Sequence, residues 1–263
     1  MLAKLGEGAA SIIYAVSDPK TAQVYALKHV VRRSEKDDRF IAQLENEQQV
    51  SVLFRHPALR RCVELKINRT LLRKVTDAGL VMELVDGVPL DQALPHDIAT
   101  VTDVFLQSAR ALGALHYLRY VHCDCKPNNI MLCSDGSIKL VDFGQAARIG
   151  TAKQRVQGTP DFIAPEQVKC RPVTEQTDVY SLGASLYWAL TGRRIPTLFT
   201  VKKSERGMLE EQDFPSPMQL RVDVPEPLSR LVMQCAKTNP RARPSDMAEI
   251  VSRLEMIAAT LRR

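Results

Sequence analysis

Residues 120–132 read YVHCDCKPNNIML and place a dense group of polar side chains between two apolar segments. A histidine, an aspartate, a lysine and two asparagines fall within eight consecutive positions, which is difficult to explain as a buried core. The later segment IKLVDFGQA brings Asp142 after an apolar strand and follows it with Gly144, which allows a sharp turn. Asp124, Asn129 and Asp142 suit a proton acceptor and oxygen ligands for Mg²⁺ beside nucleotide phosphates.

The composition around these segments is that of a folded, water-soluble chain. Its 263 residues, 45% hydrophobic and 25% charged, suffice for one large domain or two small lobes that share a cleft. Disordered, collagen-like and coiled-coil proteins are excluded. The longest stretch without a charged residue, 179–192, has 14 residues, fewer than the roughly 18 that cross a bilayer. We therefore expect no membrane-spanning segment.

Charge and cysteine content narrow the expected partners and compartment. Thirty-six Lys and Arg against 30 Asp and Glu give a net charge of +6 without a long basic run, so nucleic-acid binding is not expected. The six cysteines form no CxxC pair, so we predict neither a zinc site nor a disulfide framework. Reduced thiols favour a cytoplasmic location.

Short β segments and one helix are predicted before residue 86. Alternating and β-branched residues indicate strands at 12–16, 24–31, 63–67 and 79–85. Residues 35–55 lack turn formers and have a helical spacing of apolar residues, so a helix is expected there, stopped by the His-Pro pair that follows. With a short strand at the N-terminus, the prediction is a lobe of five strands and one helix.

The sequence changes to helical patterns after Pro95. Apolar residues recur with a period close to 3.6 from Asp97 to Tyr117, which predicts a long amphipathic helix. We therefore expect an α+β fold of two lobes: a small antiparallel β lobe with one main helix over 1–86, and a larger, mostly helical lobe over 87–263. Further helices are expected at 177–190, 228–236 and 244–261.

Two features near the N-terminus are compatible with phosphate binding. Gly6 and Gly8 are predicted at a turn between strands, where the missing Cβ atoms let backbone amides approach an anion. Lys28 lies on the next strand, and a buried lysine needs a carboxylate partner to stay charged. Helix periodicity alone does not choose between Glu45 and Glu47 as that partner.

Taken in order along the chain, these features resemble the eukaryotic-type protein kinase family over essentially the whole sequence. GEGAAS resembles the glycine-rich loop, YALK the VAIK strand and HCDCKPNN the HRDLKPxN catalytic loop. DFG is intact at 142–144 and APE at 164–166. Asp178 in DVYSLG resembles the aspartate that steadies the catalytic loop, and Arg243 resembles the arginine that pairs with Glu166.

The resemblance implies a protein kinase fold, with ATP and Mg²⁺ bound in the cleft between the lobes. Lys28 would bind the α- and β-phosphates and pair with Glu47. Asp124 would accept or orient the proton of the substrate hydroxyl, and Lys126 would stabilise the γ-phosphate. The implied metal ligands are Asn129 and Asp142.

The same resemblance assigns the adenine pocket and the class of substrate. Met82 resembles the gatekeeper residue. Lys126, two residues after the catalytic aspartate, and Thr159 in GTPDFIAPE resemble serine/threonine rather than tyrosine kinases, which implies a protein substrate with a Ser or Thr acceptor. Glu83 and Val85 would contact adenine through their backbones. The complete set of implied nucleotide-binding residues is Gly6, Gly8, Ser11, Ala26, Lys28, Met82, Glu83, Val85, Asn129 and Asp142.

Several positions depart from the family pattern. Ser11 replaces the third glycine of the loop. Ser51 stands where the family usually places an apolar spine residue, so a polar side chain there could loosen the active alignment of the helix. Cys123 replaces the arginine of HRD, a non-RD variant that lacks the cation which usually gathers a phosphorylated activation loop. We therefore expect activity that does not depend on phosphorylation of Thr151. Asn128 disfavours a substrate pocket that selects arginine.

Two alternatives to an active protein kinase follow from the same residues. Ser11, Ser51 and Cys123 are compatible with a kinase-like, ATP-binding scaffold or regulatory module of negligible turnover. Phosphorylation of a small molecule is disfavoured, because related small-molecule phosphotransferases usually lack the APE segment and the DVYSLG helix. The sequence predicts no particular oligomeric state.

Overall fold

The computed structural model describes residues 2–8, 10–200 and 214–262. Its internal contacts divide the chain into two compact units. The first contains the residues up to Asp86 together with Val141–Gln145, and the second contains Gly87–Leu140 and the residues from Ala146 onward. The sequence prediction assigned 141–145 to the helical lobe, whereas their contacts group them with the sheet-containing unit.

The first unit is a five-stranded antiparallel sheet with one helix. Its strands are β1 (Ala3–Glu7), β2 (Ile12–Ser17), β3 (Val24–Val31), β4 (Cys62–Arg69) and β5 (Val75–Glu83). They lie in the order β1-β2-β3-β5-β4, so that β3 pairs with both β2 and β5. A short 3-10 turn, Glu35–Asp37, leads into helix α1 (Asp38–Ser51). Because β3 is an interior strand, its side chains lie at the middle of the sheet.

Helix α1 packs against this sheet through one stripe of side chains. Buried positions recur three or four residues apart, as on any amphipathic helix. They are Ile41, Leu44, Glu47, Val50 and Ser51. Ile41 and Leu44 meet Ala26, Val30, Leu80 and Met82 from the sheet in one core cluster. The stripe therefore carries a glutamate and a serine into an otherwise apolar layer.

The second unit is mostly helical, as the sequence predicts. Its helices are α2 (Ile98–Tyr117), α3 (Pro165–Val168), α4 (Glu175–Thr191), α5 (Pro217–Leu220), α6 (Glu226–Cys235) and α7 (Met247–Leu261). Helix α4 is buried along most of its length, and it approaches α6 so closely that a Cβ on Gly183 would lie 2.3 Å from Cys235 Cβ. No helix among the described residues is both long enough and apolar enough to cross a membrane.

Five short strands accompany these helices. A three-stranded sheet contains β6 (Gly87–Pro89), β8 (Ile130–Cys133) and β9 (Ile138–Leu140), and a two-stranded ladder pairs β7 (Tyr120–Val121) with β10 (Ala147–Arg148). Strands β7 and β8 flank the catalytic-loop segment, and a 3-10 turn over Pro127–Asn129 joins it to β8. The loop is therefore held at both ends by backbone pairing.

The α+β fold with an antiparallel first lobe and a helical second lobe is confirmed, and the bounds of two predicted elements differ most from those observed. The helix predicted over 35–55 ends at Ser51, because the chain turns there and buries Phe54 while Val52 and Leu53 stay exposed. The strand predicted over 79–85 begins earlier, at Val75, and ends at Glu83, so Val85 lies beyond it.

Candidate active site

Strand β3, helix α1 and the segment after β9 bring three charged side chains of the first unit together. Lys28 Nζ lies 2.9 Å from Glu47 Oε2 and 2.8 Å from Asp142 Oδ1. Glu47 is fully buried, whereas Glu45 is only partly buried and takes no part in these contacts. The structure therefore selects Glu47 from the two glutamates that helix periodicity leaves open.

The carboxylates keep Lys28 charged despite its burial. Burial lowers the pKa of Lys28, but the nearby charges of Asp142 and Glu47 outweigh this effect, and the net pKa lies above its ordinary value. Only 14% of the Lys28 side chain is exposed, compared with 39% of the Asp142 side chain. The cation is thus fixed from the core side by Glu47, while Asp142 is accessible to solvent.

Asp142 is held by the residues that follow it. Its backbone is left-handed, with φ 65°, and it leads into a 3-10 turn over Phe143–Gln145. Phe143 is fully buried and packs edge-on against Phe54, with ring centroids 5.0 Å apart. A Cβ on Gly144 would lie 3.1 Å from Gln43 Cβ, a tight contact that would require Gln43 to shift, so a glycine fits this position without rearrangement.

The second unit contains a separate cluster around Asp124. Its Oδ1 accepts hydrogen bonds from the backbone N and the Oγ1 of Thr159, at 2.9 and 2.8 Å. Lys126 Nζ lies 3.1 Å from Asp124 Oδ2 and donates to Thr159 Oγ1 at 2.6 Å. Asn129 Nδ2 donates to the Asp124 carbonyl at 2.9 Å. The structure therefore brings Asp124, Lys126 and Asn129 together, along with Thr159.

Asp178 on helix α4 supports the backbone before Asp124. Its carboxylate accepts from the amides of His122 and Cys123, at 2.7 and 2.9 Å, and lies 2.8 Å from His116 Nε2. Burial raises the pKa of Asp178, but the hydrogen bonds and nearby imidazoles outweigh it, and the net pKa is lowered. Gln167 Nε2 donates to the Cys123 carbonyl at 2.8 Å. These contacts hold Cys123 in a left-handed conformation, φ 65°.

Two departures from the family pattern have structural consequences. Cys123 is 2% exposed, and burial raises the pKa of its thiol, so this side chain is an uncharged part of the core. Ser51 is also buried, and its Oγ accepts the backbone N–H of Cys62 at 2.6 Å. Its hydroxyl therefore bonds the end of helix α1 to β4, and the expectation that Ser51 loosens the active alignment of the helix stays a prediction.

The predicted adenine-pocket residues lie on β3, β5 and the segment after β5. Ala26 and Met82 are buried and directly opposite each other on the paired strands. The Glu83 amide donates to the Arg61 carbonyl at 2.9 Å, so its N–H is already used. Val85 is partly buried.

The glycine-rich segment differs in detail from its prediction. Gly6 lies inside β1, opposite Ile13 and next to a register shift, rather than in the turn. Gly8 belongs to the turn, where its N–H donates to the Ser11 carbonyl at 2.7 Å. A bulge within the strand does not change hydrophobicity and therefore leaves no signal in the sequence pattern.

Glu166 and Arg243 form the buried ion pair that the resemblance implies. Arg243 Nη1 and Nη2 donate to Glu166 Oε1 and Oε2 at 2.9 and 3.0 Å. Both side chains are at least nine-tenths buried. Thr177 Oγ1 also donates to Glu166 at 3.0 Å, so the APE segment is fixed to helix α4.

This chain is similar to known proteins over most of its length. The family model for the protein kinase domain matches residues 1–254. The chain belongs to this family. PknL of Mycobacterium tuberculosis, a serine/threonine-protein kinase, is 30% identical over 98% of the chain. Probable serine/threonine-protein kinases of Clostridium acetobutylicum and Clostridium perfringens are 26% and 28% identical to this chain, over 97% and 98% of its length.

The relatives are longer than this chain. The matched region covers 65% of PknL, 39% of the C. acetobutylicum protein and 38% of the C. perfringens protein. The similarity therefore concerns only part of each relative, and it identifies the family of this domain.

Arg60 is the site residue that sequence reasoning missed. Its Nη2 lies 2.7 Å from Glu47 Oε1, on the other side of the carboxylate from Lys28. It sits in the non-repetitive segment between α1 and β4, where no periodicity indicates which side chains are buried.

Proposed function

We propose that this domain transfers the γ-phosphate of ATP to Ser or Thr hydroxyl groups of protein substrates. The observation that carries the proposal is the cluster in which Thr159 fixes the Asp124 carboxylate and Lys126 lies 3.1 Å from it. A carboxylate and an ammonium held this close suit a reaction that moves a proton and develops negative charge on phosphate oxygens. The relatives named serine/threonine kinases support the same choice.

In this proposal, Asp124 orients the acceptor hydroxyl and takes its proton. The hydroxyl oxygen bonds to the γ-phosphorus while the bond from that phosphorus to the β–γ bridging oxygen breaks, so that ADP leaves. Lys126 stabilises the charge on the transferred group. Thr159 keeps one Asp124 oxygen occupied, which limits rotation of the carboxylate and favours productive orientation.

Lys28, Glu47 and Asp142 provide the groups for nucleotide and metal binding. Lys28 binds the α- and β-phosphates and Glu47 holds it in place. When bound, Mg²⁺ neutralises phosphate charge during the transfer. The residues fit this ion, since Mg²⁺ usually takes only one or two carboxylates and completes its shell with phosphates and water. Asp142 is solvent-accessible, and the Asn129 amide nitrogen is used by Asp124, which leaves Asn129 Oδ1 as an oxygen donor.

The remaining nucleotide contacts are proposed from the family pattern. They are Gly6, Gly8 and Ser11 for the phosphates, and Ala26, Met82, Glu83 and Val85 for adenine. Because the Glu83 N–H is already bonded to Arg61, its carbonyl is the group assigned to adenine. A cytoplasmic location is proposed from the six cysteines, all of which are free thiols.

We also propose that transfer does not require phosphorylation of the activation segment. Unphosphorylated contacts already hold this segment: the Gly150 amide donates to the Val173 carbonyl and the Val173 amide to the Thr151 carbonyl, at 2.8 and 2.9 Å. Gln167 Nε2 donates to the Gln157 carbonyl at 3.1 Å. Cys123 offers no charge that a phosphate could pair with.

The decisive test of activity is label transfer from γ-labelled ATP, with Mg²⁺, to the domain itself and to a generic basic protein. Asp124→Asn removes the proton acceptor but preserves the size of the side chain. Asp135→Asn is the matched control, since Asp135 is an exposed aspartate in a turn of the same unit. We expect phosphoserine or phosphothreonine with the wild type and Asp135→Asn, and at least about a hundredfold less with Asp124→Asn.

Either of two results contradicts the proposal. Nucleotide binding without transfer identifies a kinase-like scaffold, and transfer to a metabolite but to no protein identifies a small-molecule kinase. Thr151→Ala separately tests independence from phosphorylation: we expect transfer within about twofold of the wild type, since its backbone bonds remain. A folded Thr151→Ala protein without activity would contradict that part.

A further inference from the structure

The segment that precedes β4 carries an arginine into the core beside helix α1. Arg60 is 8% exposed and donates from Nη2 to Glu47 Oε1 at 2.7 Å. Glu47 is fully buried. Charged groups this deep in a protein are stable only when they are paired and hydrogen-bonded.

Both oxygens of the Glu47 carboxylate are therefore occupied by cations from different elements. Oε2 contacts Lys28 on β3, and Oε1 contacts Arg60 before β4. With Asp142 on the far side of Lys28, two positive and two negative charges alternate in one row that is buried at Glu47 and accessible to solvent at Asp142. A carboxylate fixed at both oxygens cannot rotate, so the position of the Lys28 ammonium is determined by Arg60 as well as by Glu47.

The hydrogen bonding of Arg60 indicates a positioning role. Among the described residues, its Nε is a buried donor without a hydrogen-bond partner. A buried group left incompletely bonded costs stability, and well-packed apolar residues often replace buried ion pairs without loss. The Arg60–Glu47 pair as a whole therefore gives the fold little that apolar side chains would not provide, whereas an apolar residue at position 60 cannot hold the Glu47 carboxylate.

Adjacent bonds keep the Arg60 segment fixed relative to helix α1. Ser51 Oγ accepts from the Cys62 amide at 2.6 Å, and Cys62 Sγ lies 3.9 Å from the Glu47 carbonyl. Both contacts anchor Cys62, two residues after Arg60, to helix α1 and so restrict where the guanidinium can approach Glu47.

We propose that Arg60 is a positioning residue for phosphoryl transfer, holding the Glu47 carboxylate so that Lys28 stays aligned for the phosphates. This inference rests on the proposed kinase activity. Arg60 acts through Glu47 and contacts neither nucleotide nor substrate. Its effect should therefore disappear when Glu47 can no longer accept a charged hydrogen bond.

The test measures kcat/KM for ATP in a double-mutant cycle of Arg60→Met and Glu47→Gln. Arg60→Met preserves most of the side-chain volume and removes the guanidinium. Arg61→Met is the matched control, because Arg61 is the neighbouring arginine with an exposed side chain. We expect kcat/KM to fall at least about tenfold with Arg60→Met, to recover to within about threefold of wild type with Arg60→Lys, and to stay unchanged with Arg61→Met.

In the Glu47→Gln background, Arg60→Met should cause no further fall in kcat/KM. An equal fall in both backgrounds, or an effect of Arg60→Met no larger than that of Arg61→Met, would overturn the inference. If the wild type transfers no phosphate, the proposed function fails instead. In that case, the unfolding midpoints of the wild type, the two single variants and the double variant are compared. Strictly additive shifts in the midpoint would overturn the Arg60–Glu47 coupling independently of any activity.

Discussion

Among the residues that the structure describes, two glutamates are buried in ion pairs, and the pairs are built differently. A single arginine, Arg243, donates to both carboxylate oxygens of Glu166 in a bidentate arrangement. Arg243 also donates to the carbonyls of Gln176, Lys237 and Thr238, and its guanidinium lies 4.9 Å from the ring centroid of Tyr180. Glu47 instead divides its two oxygens between Lys28 and Arg60.

The difference separates an ion pair that is closed to ligands from one that a ligand can reach. The Arg243 side chain is completely buried and its donors are used by the protein, so the pair has no group to offer a ligand. Lys28 is partly accessible and its second partner, Asp142, is exposed enough to be hydrated or to bind a metal ion. A cation shared between a buried and an accessible carboxylate can exchange one of them for phosphate, whereas Arg243 cannot.

The largest effect on stability is expected from Glu166→Gln. The substitution preserves the shape of the side chain but leaves the Arg243 charge buried without a counter-ion. Removal of one partner from a buried pair typically costs about 3 to 5 kcal/mol, so we expect a loss of this size in the free energy of unfolding. Denaturant unfolding, with the slope checked against wild type, measures it.

Glu226→Gln is the control for this change. Glu226 pairs with Arg230 at 3.3 Å, but 65% of its side chain is exposed. Exposed pairs contribute about 0 to 1 kcal/mol, so the control should lose little. Equal losses from the two glutamine substitutions would show that the buried pair is no more important to the fold than a surface pair.

Lys28→Met should reverse this pattern by reducing activity more than stability. Glu47 keeps Arg60 as a partner and Asp142 can be hydrated, so we expect unfolding to change by no more than about 1 kcal/mol. Loss of a preorganised cation should lower phosphate transfer by about 10²- to 10³-fold. Label transfer and denaturant unfolding of the same preparation check both expectations.

Lys66→Met serves as the matched control, since its side chain is 68% exposed on the same sheet and should leave both quantities unchanged. A Lys28→Met protein as destabilised as Glu166→Gln would remove the distinction drawn between the two pairs.

The predictability of these two pairs from sequence also differs. Glu166 and Arg243 lie in short motifs that resemble the family, so both partners could be named before the structure. Glu47 could be separated from Glu45 by the same resemblance, although not by periodicity. Arg60 could not be predicted, because a loop residue becomes buried through tertiary packing that no local pattern records.

The fold shows the same division between local and tertiary signals. The long strands and helices have periodic patterns and were predicted. Strands β6, β7 and β10 contain only two or three residues each, too few for an alternating pattern to be recognised. The end of helix α1 was missed because the turn after Ser51 is fixed by Phe54, whose ring packs against Phe143, a residue far away in sequence.

A smaller loss of stability than that of Glu166→Gln is expected from Ser51→Ala, which probes the bond between helix α1 and β4. The Cys62 amide would lose its acceptor in a buried place, at a cost of about 1 to 3 kcal/mol in the free energy of unfolding. Ser51→Leu would restore the apolar character that the family pattern implies, yet it leaves the same amide unbonded and adds volume to a packed layer. We therefore expect it to be no more stable than Ser51→Ala.

The control is Ser17→Ala, an exposed serine at the end of β2 that should change stability by less than about 0.5 kcal/mol. If Ser51→Leu were more stable than the wild type, the hydroxyl would be a defect that loosens the helix, as the sequence pattern suggests. Loss of stability in both variants would instead show that the serine stabilises this position by a hydrogen bond in place of apolar packing. The buried face of helix α1, which also carries Glu47, would then depend on polar contacts that the sequence motifs do not reveal.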